Sequence, residues 1–521
     1  MTPETFFFYD LETSGLSPRE DRIMQFAGQR TDKNLKPIGE PVNLLVKLGS
    51  DTLPSPGAIM VTKITPQQTL ADGLTEAEFC DYIENEIFTP GTCAIGYNSV
   101  RFDDEFMRHT FWRNFRDPYA WSWKDGRSRW DLLDVVRLAR ALRPDGIFWP
   151  EQEVEYNDKE TGEKKKALAE TNRLELITKL NGIVHAHAHD ALSDVEALID
   201  VTRLIKEKQP KLYEYLFAMR DKRQVAKLVN LENKAPFVYA CGRYSGEYHK
   251  TTVAFPLTAG RNGNVIVFDL RYNLDELLNP SERHLATTGA SLRSESRNDG
   301  HERASREEGI SSSFYPIVKE LCLNKCPAVS PIGVLDATTT ETFADDRKPL
   351  VKTGWERIGL SKEQVDNNLK SLLAHPDFAE RVREQFENRP EFPDAPDPES
   401  NLYGGFLSNQ DANLCNAVRN ADERHLADFH PEFSDERLPE LLLHYKAKNF
   451  PKTLSEDEVS KWEEYRLERL NRQLPSFVKQ MEEFQKLLAE GKETTPRGQK
   501  IDPFILEELS LWYQSLQPED Y

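Results

Sequence analysis

The chain reads as an α/β domain, then a small β-barrel domain, then an all-α C-terminal domain, and three observations predict this order. Strand-like apolar runs alternate with helical periodicity up to about residue 205, the signature of an α/β layer. Residues 237–241, 251–257 and 264–270 then read as strands, with Gly260-Arg-Asn-Gly-Asn264 as the tight turn between the last two. Beyond about residue 355 the strong patterns are helical, at 361–375, 438–450, 455–474 and 504–517. The expected domains are 1–205, 206–355 and 356–521, the second with a polar insertion near 279–312. In that insertion five arginines are offset by neighbouring Glu and Asp, so it reads as a solvated segment rather than a basic arm.

The first element is the unbroken apolar run Phe6-Phe7-Phe8-Tyr9, which fits a strand buried on both faces. Asp10 follows at its carboxyl end, where open sheets place ligands. Glu12 comes two residues later, so in extended backbone both carboxylates leave the same side and one metal can receive both. The bland alternative is that Asp10 starts a turn and Glu12 is solvated.

A second strand-like segment, 92–97, ends at Asn98. Asp103 then opens a helix whose apolar face includes Phe106 and Phe111, continuing to Phe115. Asp103 serves either as an N-cap or as a further acidic ligand, and the local pattern leaves both open. The third patch is the most specific. Leu192, Val195, Leu198, Ile199, Thr202 and Ile205 keep helical spacing, which puts Asp194 in the first turns and His189 in the loop before it. Histidine titrates near neutrality and can take a proton from water while Asp194 holds a metal.

Together these groups have the composition that phosphodiester hydrolysis needs. Two magnesium ions roughly 3.5–4 Å apart can activate water, hold the phosphate and neutralise the leaving oxygen. Magnesium prefers carboxylate oxygens, so neither cysteine nor a histidine cage is required.

The net charge of −20, from 67 basic and 87 acidic residues, opposes nonspecific attraction to nucleic acid. Binding then needs a local basic path with stacking surfaces, which suits single strands. From Arg108 to Arg137 six arginines are interleaved with Trp112, Tyr119, Trp121, Trp123 and Trp130, some of which must be core. The hydrophobic fraction is 38% and mean hydropathy is −0.63, with no apolar run of membrane-spanning length and no signal-peptide pattern at the start. Six scattered cysteines lack the paired spacing of a zinc ribbon, and reduced thiols in the cytoplasm are expected.

The order D-x-E, N-x-x-x-F-D, H-x-x-x-x-D resembles the histidine-containing DEDD 3′–5′ exonuclease superfamily, carried by Asp10, Glu12, Asp103, His189 and Asp194. The stretch from Asn98 to Pro144, LYGGFLS from residue 402 and YKAKNFPKTL from residue 445 narrow the resemblance to the bacterial exonuclease I family along the whole chain. Residues 151–170 and 279–312 depart from that pattern and leave local loops open. The resemblance implies a ribonuclease H-like exonuclease domain with a mixed sheet, an SH3-like barrel and a helical C-terminal domain. It implies digestion of single-stranded DNA from the 3′ end, with release of 5′-mononucleotides, in DNA repair and recombination. It also implies two Mg²⁺ ions, replaceable by Mn²⁺: Asp10, Glu12 and Asp194 hold the first, Asp10 and Asp103 serve the second, and His189 is the general base.

The same resemblance implies a closed passage for one strand. Arg108, Tyr119, Trp123, Arg137, Arg173 and Lys222 are its candidate walls by charge, stacking surface and place in the matching motifs. It further implies a partner, the acidic C-terminal tail of single-stranded DNA-binding protein. Arg143 is the candidate carboxylate clamp, with Tyr215 as apolar wall and Arg357 as a further candidate. A monomer with no membrane association is expected.

Two rival readings remain. His185, His187 and His189 alternate as ligands of a zinc hydrolase would, although no second paired histidine motif accompanies them. The fold could also serve a non-catalytic single-strand-binding protein, since fold alone does not establish activity.

Overall fold

The computed structural model describes residues 4–157, 164–183, 191–278, 317–388, 395–496 and 498–517. The first sheet has the order β3-β2-β1-β4-β5, formed by β1 Thr5–Thr13, β2 Ile23–Thr31, β3 Val42–Leu45, β4 Thr92–Gly96 and β5 Ser128–Asp131. β1 pairs antiparallel with β2 and parallel with β4, so the sheet is mixed as expected. Alternation along β1 divides its side chains. Phe6 and Phe8 enter one apolar cluster, and Phe7, Tyr9 and Leu11 enter the other. Each buried aromatic contributes about 1.5–3 kcal/mol, which fixes the register that aims the alternate positions Asp10 and Glu12. Helix Ala191–Lys208 packs across β1 and β2 on the Phe6/Phe8 face.

The second sheet, β11-β10-β9-β8-β12, is antiparallel throughout. It comprises β8 Phe237–Ala240, β9 Thr251–Ala259, β10 Val265–Asp269, β11 Val318–Leu321 and β12 Ala328–Pro331. Pro256 lies in the interior strand β9, beside the register shift between Ile266 and Val267. A bulge is one of the few sheet sites that tolerates the missing N–H.

Residues 151–170, which sequence reading left as loop, contain an antiparallel hairpin of β6 Glu151–Asn157 and β7 Lys164–Glu170. Glu170 ties it to the barrel through His249 at 2.7 Å. The helix expected at 455–474 runs as Glu456–Ala489, straight through Pro475. Phe477, Met481 and Phe484 beyond the proline pack with Met24, Ile59 and Met60 of the first domain, and this burial offsets the lost backbone hydrogen bond.

A buried ionic network joins the ends of the chain. Arg22 meets Glu399 at 2.6 Å and Asp51 at 3.2 Å, Lys448 also pairs with Glu399, and Arg469 reaches Asp51 at 3.3 Å. Every side chain in it except Lys448 is essentially sealed from solvent, so opening the network would leave unpaired charges.

Candidate active site

β1 continues past the apolar run to Thr13, so both early carboxylates sit on regular strand and Asp10 does not begin a turn. Glu12 faces Gln25 across the sheet, and the register shifts just beyond it. Helix Ala191–Lys208 carries Asp194 in its first turn to the same place. One carboxylate oxygen from each of Asp10, Glu12 and Asp194 lies within 4.8 Å of the other two.

Asp103 is the first residue of helix Asp103–Arg113 rather than its N-cap, which is Phe102. Asp103 is buried, and burial, then the charges of Asp10 and Asp104, hold its pKa well above the carboxylate range. Burial and then Asp194 push Asp10 up to about 8. Crowded carboxylates raise one another's pKa in this way, and a hard divalent cation supplies the missing counter-charge. The all-oxygen donor set fits such an ion.

Asp104 was not singled out in the sequence, yet it anchors this corner. It accepts a hydrogen bond from Tyr9 Oη at 2.7 Å and pairs with Arg129. Its only sequence signal is the doubled Asp103-Asp104. His185, His187 and His189 lie outside the described residues.

The expected DNA-contacting residues divide by exposure. Trp123 is 64% exposed, Arg173 is exposed just before helix Leu174–Leu180, and Lys222 is exposed at the start of helix Lys222–Leu228. Arg108 is largely buried, 2.6 Å from Glu105 and 5.3 Å from the ring centre of half-buried Tyr119. Tyr403 of the C-terminal domain hydrogen-bonds to Glu105, so two domains meet at this patch. Arg137 is buried against Asp134 at 2.7 Å. A Cβ at Gly242 would lie 2.8 Å from the Arg137 guanidinium, so that glycine is what lets the barrel approach it. Trp112, Trp121 and Trp130 are core.

Of the expected partner residues, Arg143 is half-buried at the end of helix Leu132–Leu142. Tyr215 is half-buried on helix Pro210–Ala218, packed against the Phe6/Phe8 cluster and against the apolar cluster of the second sheet that includes Phe237 and Val267. Arg357, expected at a surface, is buried. It donates to the Arg140 and Ala141 carbonyls at 2.8 and 2.9 Å and pairs with Glu341 at 2.9 Å. It therefore braces the helix end from which Arg143 projects.

A mixed sheet that brings strand and helix carboxylates to one point is an arrangement that could hold a divalent ion. The Exonuclease family model matches residues 7–202, the Exonuclease I SH3-like domain residues 220–388, and the Exonuclease I C-terminal domain residues 396–516. The chain is 38% identical to exodeoxyribonuclease I of Haemophilus influenzae over 91% of its length and 92% of that protein's. With the Escherichia coli enzyme it shares 37% identity, covering 89% of each chain. The structure of E. coli exonuclease I with a dA16 oligonucleotide is similar at a TM-score of 0.80 and 34% identity, over 99% of this chain and 100% of that one. A moderately thermophilic exonuclease I from Methylocaldum szegediense matches at a TM-score of 0.78 and 34% identity, over 98% and 99%. The chain belongs to the exonuclease I family and is an exonuclease.

Proposed function

We propose that this exonuclease digests single-stranded DNA from the 3′ end, releasing 5′-mononucleotides in repair and recombination. The convergence of Asp10, Glu12 and Asp194 within 4.8 Å carries the reading. The E. coli relative is known in complex with DNA oligonucleotides, including a zinc-bound form, which supports a single-stranded substrate and a divalent ion. We assign the ions as two Mg²⁺, with Mn²⁺ able to substitute. Bound there, they would polarise the phosphate and make water a better nucleophile.

The chain's own residues supply the rest. Asp10, Glu12 and Asp194 hold one ion, Asp10 and Asp103 serve the other, and His189 accepts the proton. Trp123 and Tyr119 offer stacking surfaces, while the exposed Arg173 and Lys222 provide positive charge along the strand's path, as a net-acidic enzyme requires. Arg108 and Arg137, expected there from the sequence, are buried and neutralised by Glu105 and Asp134, so they shape the wall from behind rather than present charge to the strand. The contact of Tyr403 with Glu105 supports a passage bounded by the nuclease and C-terminal domains. We further propose a cytoplasmic monomer that docks the acidic tail of single-stranded DNA-binding protein. Arg143 would clamp the tail carboxylate beside Tyr215, with Arg357 bracing the helix end behind it. That a crystal structure with single-stranded DNA-binding protein and exonuclease I as its subject is similar to this chain supports the partnership.

His189→Ala tests the chemistry. Turnover should fall by roughly 10²–10⁴ while single-strand affinity holds. Equal turnover would remove His189 from the mechanism.

A further inference from the structure

Arg129 lies on β5, the edge strand of the first sheet, opposite Ala94 of β4. Its neighbour Trp130 enters the Phe6/Phe8 cluster, so alternation turns Arg129 to the other side of the sheet, the side that Tyr9 also takes. There the guanidinium pairs with Asp104 and donates to the Asn324 carbonyl at 3.0 Å. The Cys326 thiol donates in turn to the Arg129 carbonyl at 3.3 Å. Asn324 and Cys326 belong to the loop between β11 and β12, so one barrel loop holds Arg129 by both its side chain and its backbone.

Arg129 takes one carboxylate oxygen of Asp104, and Tyr9 Oη donates to the other at 2.7 Å. Tyr9 immediately precedes Asp10 on β1, and Asp104 immediately follows Asp103 at the start of its helix. The path from Asn324 through Arg129 and Asp104 to Tyr9 therefore fixes the backbone beside two carboxylates that come from different elements. Tyr9 and Asp104 are buried and Arg129 is largely so, which makes a broken link leave an unsatisfied group rather than a hydrated one. Partners one step behind metal ligands commonly set metal affinity by about 10–100-fold.

We propose that Arg129 is a positioning residue. Through Asp104 it sets the place of Asp103 relative to Asp10, and through Asn324 it makes that spacing depend on the docked barrel. The proposal rests on the assignment above of Asp10 and Asp103 to the second ion. The test measures Mn²⁺ uptake by the full-length enzyme saturated with deoxythymidine 5′-monophosphate, from the loss of the free ion's electron paramagnetic resonance signal. The proteins are the parent, Arg129→Met, Arg129→Lys, and Arg129→Met combined with Asp104→Asn.

By charge alone, removing a cation beside these carboxylates would tighten Mn²⁺ binding. Positioning predicts the opposite sign: Arg129→Met should raise the weaker of the two dissociation constants roughly tenfold and leave the tighter one unchanged. Arg129→Lys keeps the charge but not the fork that spans Asp104 and Asn324, so it should raise the same constant by a smaller factor. The double variant leaves no orphan charge. Its thermal midpoint should return toward that of the parent while the raised constant persists. A weaker-site constant that is unchanged or lowered in Arg129→Met and Arg129→Lys, or that recovers with the thermal midpoint in the double variant, would overturn the positioning role. A parent that takes up a single Mn²⁺ would instead refute the two-ion assignment beneath it.

Discussion

Replacing Arg357 by methionine keeps most of the buried stem and removes the three interactions that close the end of helix Leu132–Leu142. The guanidinium satisfies the Arg140 and Ala141 carbonyls at 2.8 and 2.9 Å, two of the terminal carbonyls that a helix cannot bond internally. It also neutralises the Glu341 carboxylate, itself only 7% exposed. Breaking one side of a buried pair costs about 3–5 kcal/mol. Arg140 also feels the Glu341 charge, so the lower end applies, about 3 kcal/mol. For a cooperative unit of 150–250 residues that is a fall of roughly 6–12 °C in thermal midpoint. Circular dichroism or differential scanning fluorimetry at neutral pH reads it. The double variant Arg357→Met with Glu341→Leu should recover at least half of the loss, because no orphan charge then remains. A single variant within about 1 °C of the parent, or a double variant no better than the single, would refute the bracing role.

Burial pushes the Lys319 amine down to about 7, and its Nζ lies 3.3 Å from the centre of the Tyr244 ring. An unfolded lysine titrates near 10.4, so above about pH 7 the unfolded chain binds the extra proton and stability rises with pH, by at most about 1.4 kcal/mol per unit. Urea titrations at pH 7 and 9 should show that gain in the parent and lose this component in Lys319→Met; identical pH slopes would contradict the assignment. Trp123→Ala should weaken single-strand affinity by roughly 1–3 kcal/mol without moving the thermal midpoint, as anisotropy in EDTA would measure. Unchanged affinity would take Trp123 off the DNA path.

How much the sequence disclosed depended on the range of each interaction. Asp10 and Glu12 were legible because a four-residue aromatic run and a two-residue spacing are local patterns, as was the helix that carries Asp194. Three of the five strands of the second sheet appeared within a residue or two of their observed ends, because apolar runs and the turn at Gly260–Asn264 mark them, whereas the short strands Val318–Leu321 and Ala328–Pro331 were not foreseen. The hairpin of residues 151–170 was hidden because its strands are charged and gain order from each other and from His249. Helix propensity argued for a stop at Pro475, and only packing against the first domain explains why the helix continues. Arg357 looked like a surface cation because neither Glu341 nor the carbonyls more than 200 residues away can be paired with it from local pattern. Asp104 was overlooked because its neighbour carried the motif, while its own partners, Tyr9 and Arg129, come from different strands.

The central claim is that carboxylate-held divalent ions let this chain remove nucleotides from a 3′ end. Its most direct test is a time course on single-stranded DNA labelled at one end or the other, with Mg²⁺ or with EDTA, using the parent and Asp194→Asn. With the label at the 3′ end, the first labelled product should be a mononucleotide; with the label at the 5′ end, the strand should shorten through a ladder. EDTA and Asp194→Asn should each abolish both patterns. Digestion that persists in EDTA, or release of the 5′ label as the first product, would contradict the account.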